Sequence, residues 1–145
     1  MSNFIKLSLS LLLIIVADFS FSQTTKDIVF ENPTQKFKRV NEGHQLSFLY
    51  RFNYTGSLPL SIIPPKVDCS CTEVILPENN ILPNSDHEIV VTFDTNDKIG
   101  YQERTVFIHF VSDAMDGRFI EKKITFKGTV KATKQTQEKY KQHPR

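Results

Sequence analysis

From Gln45 to Tyr54 the chain alternates in polarity almost without a break. Leu46, Phe48, Tyr50, Phe52 and Tyr54 share one face of an extended strand; Gln45, Ser47, Arg51 and Asn53 share the other, and Leu49 is the exception. Period two with one apolar face is what a strand shows when one side covers a core and the other meets water. The same alternation recurs at Ile89, Val91 and Phe93, at Val106, Ile108 and Phe110, and at Ile120, Ile124 and Phe126. Lys122 stands on the apolar face of the last of these, which places it near an edge or an end.

Weaker segments complete the set. Ile28 to Phe30 reads as a first strand, continued by Phe37 to Val40 after Pro33. Leu58, Leu60 and Ile62 alternate, but Pro59 and Pro64 confine that strand to an edge or keep it short. Thr72 to Leu76 is another short candidate. Turn residues separate these runs at Thr55-Gly56, Pro83-Asn84-Ser85-Asp86, Asn96-Asp97 with Gly100, and Asp116-Gly117. About seven strands at intervals of roughly ten residues, with no helical period between them, predict an all-β sandwich of two sheets. No internal repeat of propeller or solenoid length is visible.

The two ends of the chain read differently. Met1 to Ser22 has Lys6 near its start and an apolar run from Leu7 to Ala17, broken only by Ser8 and Ser10. That run is too short for a membrane span, which needs about 20 apolar residues, and fits the core of a signal peptide. Ser20 and Ser22 suit cleavage before Gln23, with Ala17 marking a second possible site, and no cysteine stands there to carry a lipid. The expected organisation is a signal peptide at 1–22, one sandwich domain at 23–130, and a basic, disordered tail at 131–145, polar throughout apart from Tyr140 and an alanine. Cleavage removes Lys6 and Asp18 together and leaves the formal charge at +2, too small an imbalance to point to nucleic acid or a membrane surface. No later apolar run could cross a membrane, so the mature chain is expected in the periplasm or secreted.

The only two cysteines, Cys69 and Cys71, stand one residue apart in Cys69-Ser70-Cys71-Thr72. Fully extended, their Cα atoms would lie about 6.6 Å apart, near the upper limit for a disulfide, so a bridge requires a bent backbone. Three readings compete. The pair is structural, either bridged in a tight turn or reduced and packed. Or it is a redox-active dithiol, with Lys66 favouring the thiolate and Asp68 and Glu73 opposing it. Or it binds a soft ion such as Cu(I). A zinc site would need four ligands, and His44, His87, His109 and His143 show no ligand spacing, so no metal or other cofactor is assigned.

Other motifs carry little. Asn53-Tyr54-Thr55 matches a glycosylation triplet, whereas Asn32-Pro33-Thr34 is excluded by its proline. Asp94 and Asp97 fall at a strand end and a loop and read as solvated turn residues rather than a calcium site. There is no nucleotide-binding glycine loop and no nucleophile elbow, and no catalytic residue is assigned.

Around Cys69-Ser70-Cys71-Thr72 the chain resembles an exported bacterial family designated domain of unknown function 1573, whose members carry a Cys-Gly-Cys-Thr signature. Phe37 and Val40 lead to Glu42-Gly43, then come the aromatic strand ending near Phe52, Thr55-Gly56, and Leu58 to Ile62. Pro83, the Ile89 to Asp94 strand, Gly100 and Gly128-Thr129-Val130 follow in order, so the resemblance spans Ile28 to Val130. Lys38, Tyr54, Ser70 and Asn84 depart from the family pattern. The resemblance implies an immunoglobulin-like sandwich and no known reaction.

These features predict a non-enzymatic module that binds another envelope or secreted protein by edge-strand pairing or loop contacts. The loop Cys69 to Thr72 and the edge Leu58 to Ile62 are the expected contact regions. A periplasmic thiol protein using Cys69 and Cys71 for copper binding or redox exchange is the alternative. A hydrolase finds no nucleophile–base pair in the sequence to support it.

Overall fold

The computed structural model of the protein describes residues 25–142, Asp68 and Asn79 excepted. The expected signal peptide and its cleavage point, together with Asp68 and His143, lie outside the described residues.

Among the described residues nine strands form two sheets. In chain order they begin with β1 (Ile28–Phe30), β2 (Thr34–Lys36), β3 (Val40–Asn41), β4 (Gln45–Tyr54) and β5 (Ser61–Ile63). They continue with β6 (Thr72–Ile75), β7 (Ser85–Asp94), β8 (Gly100–Val111) and β9 (Ile120–Lys131), and one helix, α1 (Lys134–Gln142), follows. The first sheet runs β1-β4-β7-β6 and the second β2-β9-β8-β5, with β3 also on β9. All pairs are antiparallel except β2 and β3, which join β9 in parallel. The result is the two-sheet sandwich the alternation predicts.

The alternation of β4 sets the core. Phe48, Tyr50, Phe52 and Tyr54 are buried, and Leu49 turns outward. Opposite them the second sheet contributes Val106, Ile108 and Phe110 from β8 and Ile124 and Phe126 from β9. Aromatic rings tie the layers together. Phe48 stacks on Phe126 with centroids 4.6 Å apart, and Phe52 meets Phe110 edge-on at 5.5 Å. The Tyr50 hydroxyl crosses the core to donate to the Thr125 carbonyl at 2.8 Å, and burial raises its pKa.

Two expectations need correction. The first strand does not continue from Ile28 through Phe37 to Val40. It divides into β1, β2 and β3, because the chain leaves the first sheet after Phe30 and joins the second at Thr34. Phe37 lies between β2 and β3 with its ring over Gly128, where a Cβ would come within 2.6 Å of it. That division accounts for nine strands instead of seven. The tail also differs: β9 extends to Lys131, and 134–142 is helical. Thr133 caps the helix, its hydroxyl accepting from the Thr136 amide at 3.2 Å. The Glu42 carboxylate in turn accepts from the Thr133 amide at 2.8 Å and hydroxyl at 2.9 Å, tying α1 to the body of the sandwich.

Candidate functional site

Cys69 and Cys71 are joined by a disulfide within a turn, with Cα atoms 5.2 Å apart instead of the extended spacing. The turn is held from both sides. The Thr72 amide donates to the Cys69 carbonyl at 3.1 Å, and the Asp94 amide donates to the Cys71 carbonyl at 2.8 Å. Cys71 packs against the core and Thr72 is buried, whereas Ser70 is exposed. A bridged pair has no thiolate to offer a metal. Among the described residues no group of three or more His, Cys, Asp or Glu is placed to hold an ion.

The turn delivers the chain into β6, the terminal strand of the first sheet. In an antiparallel pair, residues alternate between bonding their partner strand and pointing away from it. The Asp94-to-Cys71 bond places Cys71, Glu73 and Ile75 on the bonded positions of β6, opposite Asp94, Thr92 and Val90. The Val74 amide and carbonyl therefore face the open edge. Ile75 is half exposed on the outer face of the same strand.

The second predicted contact region is less open than expected. Leu60 is buried and exchanges two backbone hydrogen bonds with Ile81, at 2.9 and 2.8 Å. That bridge covers the middle of the Leu58 to Ile62 segment, leaving β5 as a three-residue edge strand with Ile63 exposed. The sequence shows the prolines that limit this strand but not the bridge, which comes from a segment about twenty residues downstream.

The histidines are dispersed. His44 uses its backbone to close the end of the first sheet: its carbonyl accepts from the Thr95 hydroxyl at 2.7 Å, and its amide donates to that hydroxyl at 2.9 Å. His109 pairs with Glu121 at 2.9 Å and lies against Phe119 on the outer face of the second sheet. His87 stacks on Phe52 and lies 2.6 Å from the Ser85 hydroxyl, a serine–histidine pair that sequence reading missed. Residues two apart on a strand share a face, so the Ser-x-His spacing was the available signal. This geometry does not make a nucleophile. The Ser85 hydroxyl donates its single proton to the Leu82 carbonyl at 2.5 Å, so His87 can only donate to it. A general base would have to accept that proton instead.

Two antiparallel-dominated sheets packed face to face define an immunoglobulin-like sandwich domain. The profile of the family described as "Protein of unknown function (DUF1573)" matches residues 28–130, and the chain belongs to that family. No curated protein matches the chain. Among solved structures it is similar to the ASH / PapD-like domain 7 of human CEP192, at 10% identity and a TM-score of 0.59, over 79% of this chain and 93% of that one. It is also similar to part of the Vibrio cholerae VesB protease, at 9% identity and a TM-score of 0.53, over 74% of this chain and 32% of that one. At such identities the likeness concerns the fold alone. No helix among the described residues is long and apolar enough to cross a membrane.

Proposed function

We propose that this domain is a non-enzymatic binding module that acts outside the cytoplasm, in the periplasm or secreted, and takes a strand of another envelope or secreted protein onto β6. One observation carries the reading: the terminal strand of the first sheet presents the Val74 amide and carbonyl outward, directly after a turn fixed by a disulfide. Strand addition to a sheet edge draws its affinity from backbone hydrogen bonds. The disulfide and its two backbone clamps hold that edge in register before a partner arrives, which lowers the entropy lost on binding. A disulfide also belongs to an oxidising compartment.

Val74→Pro tests the reading. Proline removes the one amide aimed at the open edge and leaves the β7-facing amides of Glu73 and Ile75 in place. Partners captured from an envelope extract by the natural chain should be lost with this variant, while its thermal midpoint stays within a few degrees. Unchanged capture by a folded Val74→Pro chain would overturn the proposal.

A second reading, thiol–disulfide exchange, has one observation in its favour: the bridge closes a ring across a single intervening residue, and Ser70 is exposed beside it. Intact mass before and after alkylation sets metal binding apart, and equilibration in a glutathione buffer sets exchange apart. A pair that stays bridged and unalkylated without reductant leaves a structural or redox-switching bridge and removes Cu(I); a bridge that also resists the glutathione buffer supports the binding module. Two thiols that alkylate in the folded protein support exchange or Cu(I) binding.

A further inference from the structure

Leu49 breaks the alternation of β4, and the register of the first sheet gives it neighbours. It lies beside Val90 of β7, and Val90 lies beside Ile75 of β6. Residues directly opposite on adjacent strands share a face, so the three form one apolar row across the outer surface of the sheet. Leu49 and Ile75, its two ends, are both exposed. Those ends differ. At Leu49 the Gln35 side chain of β2 reaches over and donates to the Leu49 carbonyl at 2.7 Å. At Ile75 the sheet stops, and no described strand lies beyond β6.

The rows on either side have other chemistry. In one, Arg51 and Glu88 are in register and 3.9 Å apart, so its charges answer each other. In the other, Ser47 lies beside Thr92 and Thr92 beside Glu73. Glu73 is exposed and joins no ion pair among the described residues. The β6 edge thus presents an apolar side chain and a lone carboxylate on one face, flanking the outward backbone of Val74. The Val74 side chain itself lies on the opposite face, partly buried against the core.

We propose that the strand accepted by β6 runs antiparallel to it and reads apolar-apolar-basic from its N-terminus. This inference rests on the strand addition proposed above and assigns the partner's chemistry. The Thr72 amide is committed to the Cys69 carbonyl, which leaves Val74 to carry the pairing. An antiparallel partner makes both of the Val74 bonds with a single residue, whereas a parallel one divides them between two. The residue opposite Val74 points inward and extends the core. The one before it lies beside Ile75 and lengthens the apolar row from Leu49. The one after it lies beside Glu73 and supplies the missing cation. Backbone bonds give the affinity, and the side-chain pairs select the sequence.

The test is an NMR titration of the isotopically labelled full chain with the blocked peptide Thr-Thr-Ile-Val-Lys-Thr-Thr. A second peptide carries glutamate for lysine, and a third has its isoleucine and lysine exchanged. The first peptide should shift the amides of Glu73, Val74 and Ile75. The glutamate peptide should bind about three- to tenfold more weakly, as expected when one exposed cross-strand pair turns from opposite to like charge. The chain's net charge of +2 favours the glutamate peptide at long range, so a preference for lysine reports Glu73. Glu73→Lys, a change at an exposed position, should reverse the preference. Ile75→Thr should weaken the lysine and glutamate peptides alike and leave the ratio between them unchanged. Equal binding of those two peptides at β6, or a preference that survives Glu73→Lys, would overturn the inference. So would tighter binding of the exchanged peptide, which would mean a parallel strand. In each of these cases strand addition itself still stands if Val74→Pro abolishes the shifts. If no peptide shifts β6 at millimolar concentration, or if Val74→Pro binds them unchanged, strand addition fails and this inference fails with it.

Discussion

Replacing both cysteines, Cys69→Ser with Cys71→Ser, separates a structural bridge from a chemical one. The bridge encloses three residues, because the cysteines are two positions apart. For a loop of that size the chain-entropy relation gives about 1.6 kcal/mol of stabilisation at 25 °C, well below the roughly 3 kcal/mol of a 15-residue loop. The turn has other support, since the Thr72 and Asp94 amides bond the carbonyls of the two cysteines, not their sulfurs. Two sulfur contacts are at stake, the Cys71 amide to the Cys69 sulfur at 3.0 Å and the Cys71 sulfur with the Thr72 hydroxyl at 3.8 Å, and a serine hydroxyl, which both donates and accepts, can replace either. The expected loss is therefore about 1.6 kcal/mol, or a fall of roughly 6 °C in thermal midpoint for a domain of this size. Urea unfolding gives the free energy directly, and the denaturant slope should not change, because the same surface is buried. Reducing the natural chain should reproduce the loss. A loss above about 4 kcal/mol would refute the reasoning by showing that the bridge organises the core beyond its own turn. No loss at all would remove the structural role.

Two further outcomes follow from the packing. Gly128→Ala places a Cβ 2.6 Å from the Phe37 ring and carbonyl, backbone that cannot yield cheaply, so a loss of about 1–3 kcal/mol is expected by urea unfolding. Glu42 predicts the response of α1 to acid: hydrogen bonds, first from the Thr136 hydroxyl and then from the Thr133 amide, hold its carboxyl below the ordinary value of 4.5. A carboxyl lowered in the folded state contributes fully above its unfolded value and loses that contribution as pH falls through the folded one. The Thr133 amide should therefore lose its protection from exchange in acid while the core stays folded, and Glu42→Gln should flatten that dependence.

The residues that legibly announced the fold were those whose side chains alternate between a core and water. β4 carries that signal from end to end, and its observed bounds match the reading. β8 and β9 were recognised only in their apolar middles, Val106 to Phe110 and Ile120 to Phe126. Their flanks, such as Gly100 to Thr105 and Lys127 to Thr129, are extended because a neighbouring strand supplies hydrogen bonds, a cause that leaves little trace in polarity. The helix α1 was illegible for a related reason. Lys134 to Gln142 has no apolar stripe, and the acceptor that ties its cap to the sandwich is Glu42, 91 residues before Thr133. At the cysteine turn, residue types alone left bridged, redox and metal-binding pairs open, and the bend that joins them depends on a local bond from the Thr72 amide and a clamp from Asp94 of β7.

β9 has a place in the sandwich that bears on how the chain can be made. It pairs with β8 along eleven residues, and it is the sole partner of both β2 and β3 among the described strands. Yet it is the last of the described strands. A polypeptide growing from its N-terminus can assemble the first sheet once Asp94 has emerged, but the second has no centre until Lys131 is free. Until then β2 and β3 have nothing to join and β8 exposes a bare edge of up to twelve residues. A chain interrupted before Ile120 is therefore not a smaller version of this domain. It is half a sandwich with its hydrophobic face uncovered, a species prone to aggregation and open to proteolysis.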